Sequence, residues 1–179
     1  GIQNVTLADV RYAKDLGFVV KLVGAARLID GRVSVRVFPA LLPEEHPLAA
    51  IHGSNNAVFL QGETIGEVML MGPGAGGIPT ATAVVSDIVS IANTKDVGFL
   101  QSCSCYRRLG FYPAEEVESA FFIKMNVADK AGVLAQISSV FAEHSVSIAS
   151  MIQKGRGDEA ELVIITHPTR EWDFFAAIE

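Results

Sequence analysis

The chain has 179 residues, half of them hydrophobic, which is enough for one large or two small cores and excludes a disordered chain. Its formal net charge is −6 and its densest basic cluster is the pair Arg107-Arg108, so neither nucleic acid nor an anionic membrane is expected as the main partner. No apolar run reaches the ~18 residues a membrane span needs and the start carries no signal-peptide pattern, so a cytoplasmic protein is expected. Cys103 and Cys105 have no further Cys and no nearby His, which is too few ligands for a metal site.

In chain order, Thr6 and Asp9 have the spacing of a capping box and open a helix that runs to Gly17, a natural terminator. Phe18 to Leu28 reads as a strand, and Asp30-Gly31 is a strong hairpin signal. The return strand alternates Val33, Val35 and Val37 against Arg32, Ser34 and Arg36, so the valine face is expected to meet a core. After a turn bounded by Pro39 and Pro47, Ala57–Leu60 and Thr64–Met71 form a second strand pair. Adjacent Glu44 and Glu45 read as a solvated turn, and His46, His52, His144 and His167 have no metal spacing.

A glycine-dense loop follows. Gly72, Gly74 and Gly77 satisfy G-x-G-x-x-G between the strand Glu67–Leu70 and a helix in which Pro79 suits the first position. Asn93-Thr94-Lys95-Asp96 then stands where a complete dinucleotide unit would place a second strand ending in an acidic residue. The loop therefore allows two readings, a tight strand-to-helix turn and a backbone edge built for close approach of an anionic or planar ligand.

Residues 93–119 break the periodic pattern and read as a linker. From Ala120 the order is strand, helix Gly132–His144, strand Ile148–Lys154, strand Glu161–His167, and a helix from about Arg170. This βαββα order matches a ferredoxin-like βαββαβ sandwich without its last strand. The expected class is α+β: a mainly antiparallel region with helices over 1–92, a linker over 93–119, and a truncated ferredoxin-like unit over 120–179.

The run Asp129-Lys130-Ala131-Gly132-Val133-Leu134-Ala135-Gln136-Ile137, followed by Phe141 to Ile148, resembles the opening of an ACT domain, the small amino-acid-sensing module. Upstream, Tyr12 to Phe18, His46-Pro47-Leu48-Ala49, Asn55-Asn56-Ala57-Val58, and Gly72 to Gly76 with Val85-Ser86-Asp87-Ile88 resemble the C-terminal half of the catalytic region of bacterial homoserine dehydrogenase. That resemblance implies an NAD- or NADP-dependent oxidoreductase interconverting aspartate semialdehyde and homoserine, with threonine as feedback effector. Gly72, Gly74, Gly76 and Thr80 would approach the cofactor. Asn126, Asp129, Gly132, Val133 and Leu134 would line the effector site, faced by the next strand from Ile148 to Gln153. The family's nucleotide-binding region and its lysine–aspartate pair precede the matching segment, and Lys14 and Lys21 lie on other motifs. No catalytic residue is therefore assigned, and the chain alone is expected to be inactive.

Physical chemistry supports the effector assignment in outline, because unpaired amides at the start of the Gly132 helix suit a carboxylate. For Asp129, binding an ammonium and capping the helix both remain open. Exposed hairpins and an incomplete sheet invite association, so a homodimer is expected. The alternative reading is a non-enzymatic amino-acid-binding or dimerisation module.

Overall fold

A computed structural model describes residues 2–94, 108–155 and 158–179. The two cysteines lie outside the described residues. Contacts divide the chain into two compact units, one of residues 1–16, 20–41 and 109–179, the other of residues 17–19 and 42–108.

Helix α1 (Leu7–Asp15) starts at the expected capping box: Thr6 Oγ1 accepts from the Asp9 amide at 3.3 Å, and Asp9 Oδ2 accepts from the Thr6 amide at 2.7 Å. Gly17 follows the C-cap with φ +82°, a conformation that costs other residues strain. Strands β1 (Phe18–Ile29) and β2 (Arg32–Pro43) form a two-stranded ribbon. Asp30 and Gly31 between them both have positive φ, 49° and 75°, as a primed hairpin turn requires. Strand β2 continues through Pro39 to Pro43, where the prolines had suggested a turn, because proline's fixed φ is tolerated at a strand edge.

The orientation of this ribbon reverses the sequence expectation. Val35 and Val37 are 60% and 73% exposed, whereas Ser34 is buried and Arg36 is ion-paired with Glu171 and donates to Ser119 Oγ at 3.3 Å. Alternation defines two faces but not which one is covered. Here the Arg36 partners lie on the side that packs inward. Val33 adds a short parallel bridge to Phe111, with its amide donating to the Gly110 carbonyl at 2.9 Å.

In the other unit, β3 (Asn55–Gly62) and β4 (Gly66–Pro73) pair antiparallel, with Asn55 opposite Pro73 and Gly62 opposite Gly66. The loop Gly74–Gly76 then leads into α2 (Gly77–Thr94), which starts two residues before Pro79. No residue of α2 is buried, and Ile78, Val85, Ile88 and Ile91 are all more than half exposed.

The C-terminal elements form a second layered arrangement. Strand β5 (Glu118–Ser119) pairs with β9 (Thr169–Arg170), and β6 (Phe122–Ala128), β8 (Glu159–Thr166) and β7 (Ile148–Lys154) make an antiparallel sheet in the order β6-β8-β7. This central placement of β8 is what a ferredoxin-like unit dictates. Helix α3 (Val133–Glu143) and helix α4 (Glu171–Ile178) cover one face. Phe141, Val146, Leu162 and Ile164 form the core, with Leu134, Ile137 and Ile148 packed against it, and Phe121 stacks on Phe174 at 3.8 Å between centroids. The class is α+β, as the sequence predicts. Among the described residues, no helix is long and apolar enough to cross a membrane.

Candidate functional site

The turn from β6 into α3 borders a concavity of the ACT-like sheet. The chain leaves β6 at Ala128, and the Asp129 amide donates to the Asp158 carbonyl at 3.1 Å, fixing the turn against the β7–β8 hairpin. Gly132 takes φ +94° and serves as N-cap without a side-chain hydrogen bond. Helix α3 therefore starts uncapped, and among the described residues no acceptor is recorded for the amides of Leu134 and Ala135. Those amides and the helix dipole make a local positive pole.

Around this pole lies a cavity of about 280 Å³ lined by Val127 to Leu134 and Gln153. Across it, Gln153 Nε2 donates to Asp129 Oδ1 at 3.0 Å. The Asp129 carboxylate consequently faces Gln153 and does not cap α3, which leaves it free to receive a cationic group. An ammonium near Asp129 and a carboxylate at the α3 amides are the two ends of a free amino acid.

Five residues singled out from sequence come together here: Asp129, Gly132, Val133, Leu134 and Gln153. Asn126 and Ile148 do not join them. Asn126 is exposed, pairs with Glu161, and by strand alternation points to the sheet face opposite Val127. Ile148 opens β7 five residues before Gln153, about 17 Å away at the usual strand rise, and packs into the core. A strand's range does not say which of its ends meets a turn. Val127, Ala128, Lys130 and Ala131 also line the cavity and were not singled out, since only the D-x-x-G-V-L spacing and the facing strand carried a signal.

The glycine loop presents a different geometry. The Gly74 amide donates to the Ser54 carbonyl at 2.8 Å, and a Cβ on Gly74 would overlap the Asn56 carboxamide. Gly76 has φ +127°. Gly76 is thus required by the turn itself, while a Cβ at Gly74 would meet only the end of the exposed Asn56 side chain. Gly72 has neither a positive φ nor any atom within 4 Å of where its Cβ would stand. Thr80 is exposed, and its amide donates to the Gly76 carbonyl at 3.1 Å. No acceptor is recorded among the described residues for the amides of Ala75, Gly76 and Gly77. An exposed backbone edge of this kind suits a dinucleotide's close approach, with the backbone and not side chains as the donor set.

The remaining sequence candidates have ordinary roles. His46 Nδ1 accepts from the Leu48 amide at 3.1 Å and its ring meets Phe59 edge-on, while Glu44 and Glu45 are exposed. A larger hollow of about 590 Å³ is lined by Arg27, Ile29, Tyr112, Glu116, Val117, Glu118 and Arg170, of which Val117 is buried and the four charged residues are exposed.

A β6-β8-β7 sheet backed by α3 and α4, with a hollow at the β6–α3 turn, defines a domain of the ACT type; a hairpin region ending in a glycine loop precedes it. Comparison with known proteins agrees with both halves. The homoserine dehydrogenase family model matches residues 1–89 and the ACT domain model matches residues 121–178. The homoserine dehydrogenase of Bacillus subtilis is 39% identical over 97% of the chain, and that of Mycobacterium tuberculosis is 42% identical over 93%; each match covers 41% of the relative. The crystal structure of a homoserine dehydrogenase from Thiobacillus denitrificans superposes with a TM-score of 0.89 at 34% identity, covering 99% of this chain and 42% of that one. The chain belongs to the homoserine dehydrogenase family, a family of oxidoreductases, and corresponds to the C-terminal part of the catalytic region plus the ACT domain. It spans about two fifths of the length of these relatives.

Proposed function

We propose that the chain is the C-terminal part of an NAD- or NADP-dependent homoserine dehydrogenase, interconverting aspartate semialdehyde and homoserine, and that its ACT unit senses threonine. The observation that carries the reading is the β6–α3 cavity, where the Asp129–Gln153 hydrogen bond and the uncapped α3 amides stand at opposite roles around one space. Asp129 would receive the effector's ammonium and the amides near Gly132 its carboxylate, with Val133, Leu134 and Gln153 enclosing the side chain.

The cofactor supplies the hydride chemistry when bound. Gly72, Gly74, Gly76 and Thr80 are the residues of this chain proposed to border it, a role supported by the unexplained openness at Gly72 and the unpaired loop amides. None of this chain's own residues is assigned as catalytic, so the 179 residues alone are proposed to leave homoserine unchanged. The organisation proposed is a catalytic and dimerisation region over 1–92, a connecting segment over 93–119 and the ACT unit from 120, in a cytoplasmic homodimer. The exposed Val35 and Val37 face and the apolar surface of α2 support association.

The test is feedback inhibition of the full-length enzyme. Gly132→Asp places a negative charge at the carboxylate position, and Gly132→Asn repeats the backbone strain without the charge. Threonine inhibition should be lost in the first and retained in the second, with uninhibited turnover unchanged in both. Equal inhibition in the two would remove the effector from this turn.

A further inference from the structure

Helix α1 falls within the residues matched by the homoserine dehydrogenase model, yet it packs on the ACT sheet, on the face opposite α3 and α4. It holds each of the three strands by one polar contact. Asp9 is ion-paired with Lys124 of β6 at 2.6 Å, the Tyr12 hydroxyl donates to Glu161 of β8 at 2.6 Å, and Asp15 pairs with Lys154 of β7 at 2.5 Å. Asp9, Tyr12 and Asp15 recur every three residues, which puts them along one side of the helix. The Lys154 ammonium also lies 4.7 Å from the centre of the Tyr12 ring.

Two further placements give this arrangement a direction. Lys154 directly follows Gln153, the residue that bridges the cavity to Asp129, so one dipeptide at the end of β7 touches both the cavity and α1. At the other end, α1 stops at Asp15, and Gly17 after it accepts from the Glu44 amide at 3.1 Å, where the chain passes into the second compact unit.

We propose that α1 is the transmitting element of the ACT unit: occupancy of the Asp129–Gln153 cavity stabilises the Lys154–Asp15 contact and so orders α1, whose C-terminal end continues into the second compact unit. This rests on the effector reading given above. An ammonium engaging Asp129 shares the carboxylate that Gln153 now bonds and so draws on that contact, and Lys154 is the next residue of β7. The coupling is a shift between two states of α1, loosely and firmly held, and requires differential contact in each.

Hydrogen exchange of the 179-residue chain with and without threonine, read beside calorimetry, tests the inference. Saturating threonine should slow exchange at the amides of α1 by about threefold or more, together with the β6–α3 turn. In Lys154→Gln the threonine affinity should stay within about twofold while the response of α1 disappears, and Lys154→Arg should restore it. Protection of the turn without α1, or an α1 response that survives in Lys154→Gln, overturns the transmitting role and leaves the effector site standing. Absence of any threonine binding to the wild-type chain overturns the effector reading, and this inference with it.

Discussion

The Tyr12 hydroxyl donates to Glu161 across 149 positions of sequence, joining a helix of the homoserine dehydrogenase segment to the central strand of the ACT sheet. Tyr12 is only 6% exposed, so this is a hydrogen bond made to a carboxylate with little competing water. Tyr12→Phe keeps the ring and removes the donor. It is expected to lower stability by about 1–2 kcal/mol in urea unfolding, a loss set by the stranded Glu161 acceptor.

The same bond predicts an alkaline signature. Donation to Glu161, then burial, raises the Tyr12 pKa above its ordinary 10.0. Only the neutral phenol can donate, so the contribution is complete below the unfolded value and is lost as pH rises through the folded one. Wild type should therefore lose stability above about pH 10 more steeply than Tyr12→Phe, measured as urea midpoints across that range.

Asp9 predicts the opposite limb. Burial raises its pKa, but the Lys124 ammonium and the Thr6 amide and hydroxyl together outweigh it and hold the carboxyl below 3.8. Its contribution is present above that value and lost as pH falls through the lowered one. Asp9→Asn should cost about 1 kcal/mol near neutrality, from the capping box and the ion pair, and should flatten the acid limb.

These contacts also mark what was legible in the sequence. The capping box at Thr6, the Asp30-Gly31 turn and strand β7 at Ile148–Lys154 depend on neighbours in sequence, and each stands where the pattern placed it. Asp129, Gly132, Val133 and Leu134 were legible for the same reason, lying on one continuous turn. The Tyr12–Glu161 and Asp15–Lys154 contacts join distant segments and leave no local trace. Period-two alternation likewise named both faces of β2 without saying that Arg36 would find Glu171 and turn the valines outward.

That reversal is testable by substitution. Val37→Thr, on the exposed face, should change stability by no more than about 0.5 kcal/mol. Arg36→Met leaves Glu171, whose side chain is 12% exposed, without its cation, and should cost about 1–3 kcal/mol. Calorimetric melting of the two variants ranks them, and a larger loss in Val37→Thr would restore the valine-inward orientation.

At the glycine loop, Gly76→Ala should destabilise by about 1–2 kcal/mol, because its φ of +127° strains any other residue. Gly74→Ala should cost less, because the exposed Asn56 side chain that its Cβ meets can swing aside, and adding Asn56→Ala should change that cost little. Gly72→Ala should leave stability nearly unchanged. In the full-length enzyme its effect should fall on the cofactor KM instead, as the loop's proposed role requires.

The effector site is the claim on which the regulatory account depends, and calorimetric titration of threonine into the 179-residue chain measures it directly. Wild type and Gly132→Asn should bind one threonine per chain, and Gly132→Asp should show no saturable heat at the same concentrations. Binding of equal affinity in Gly132→Asp, with the fold intact by circular dichroism, would contradict the assignment of the β6–α3 cavity.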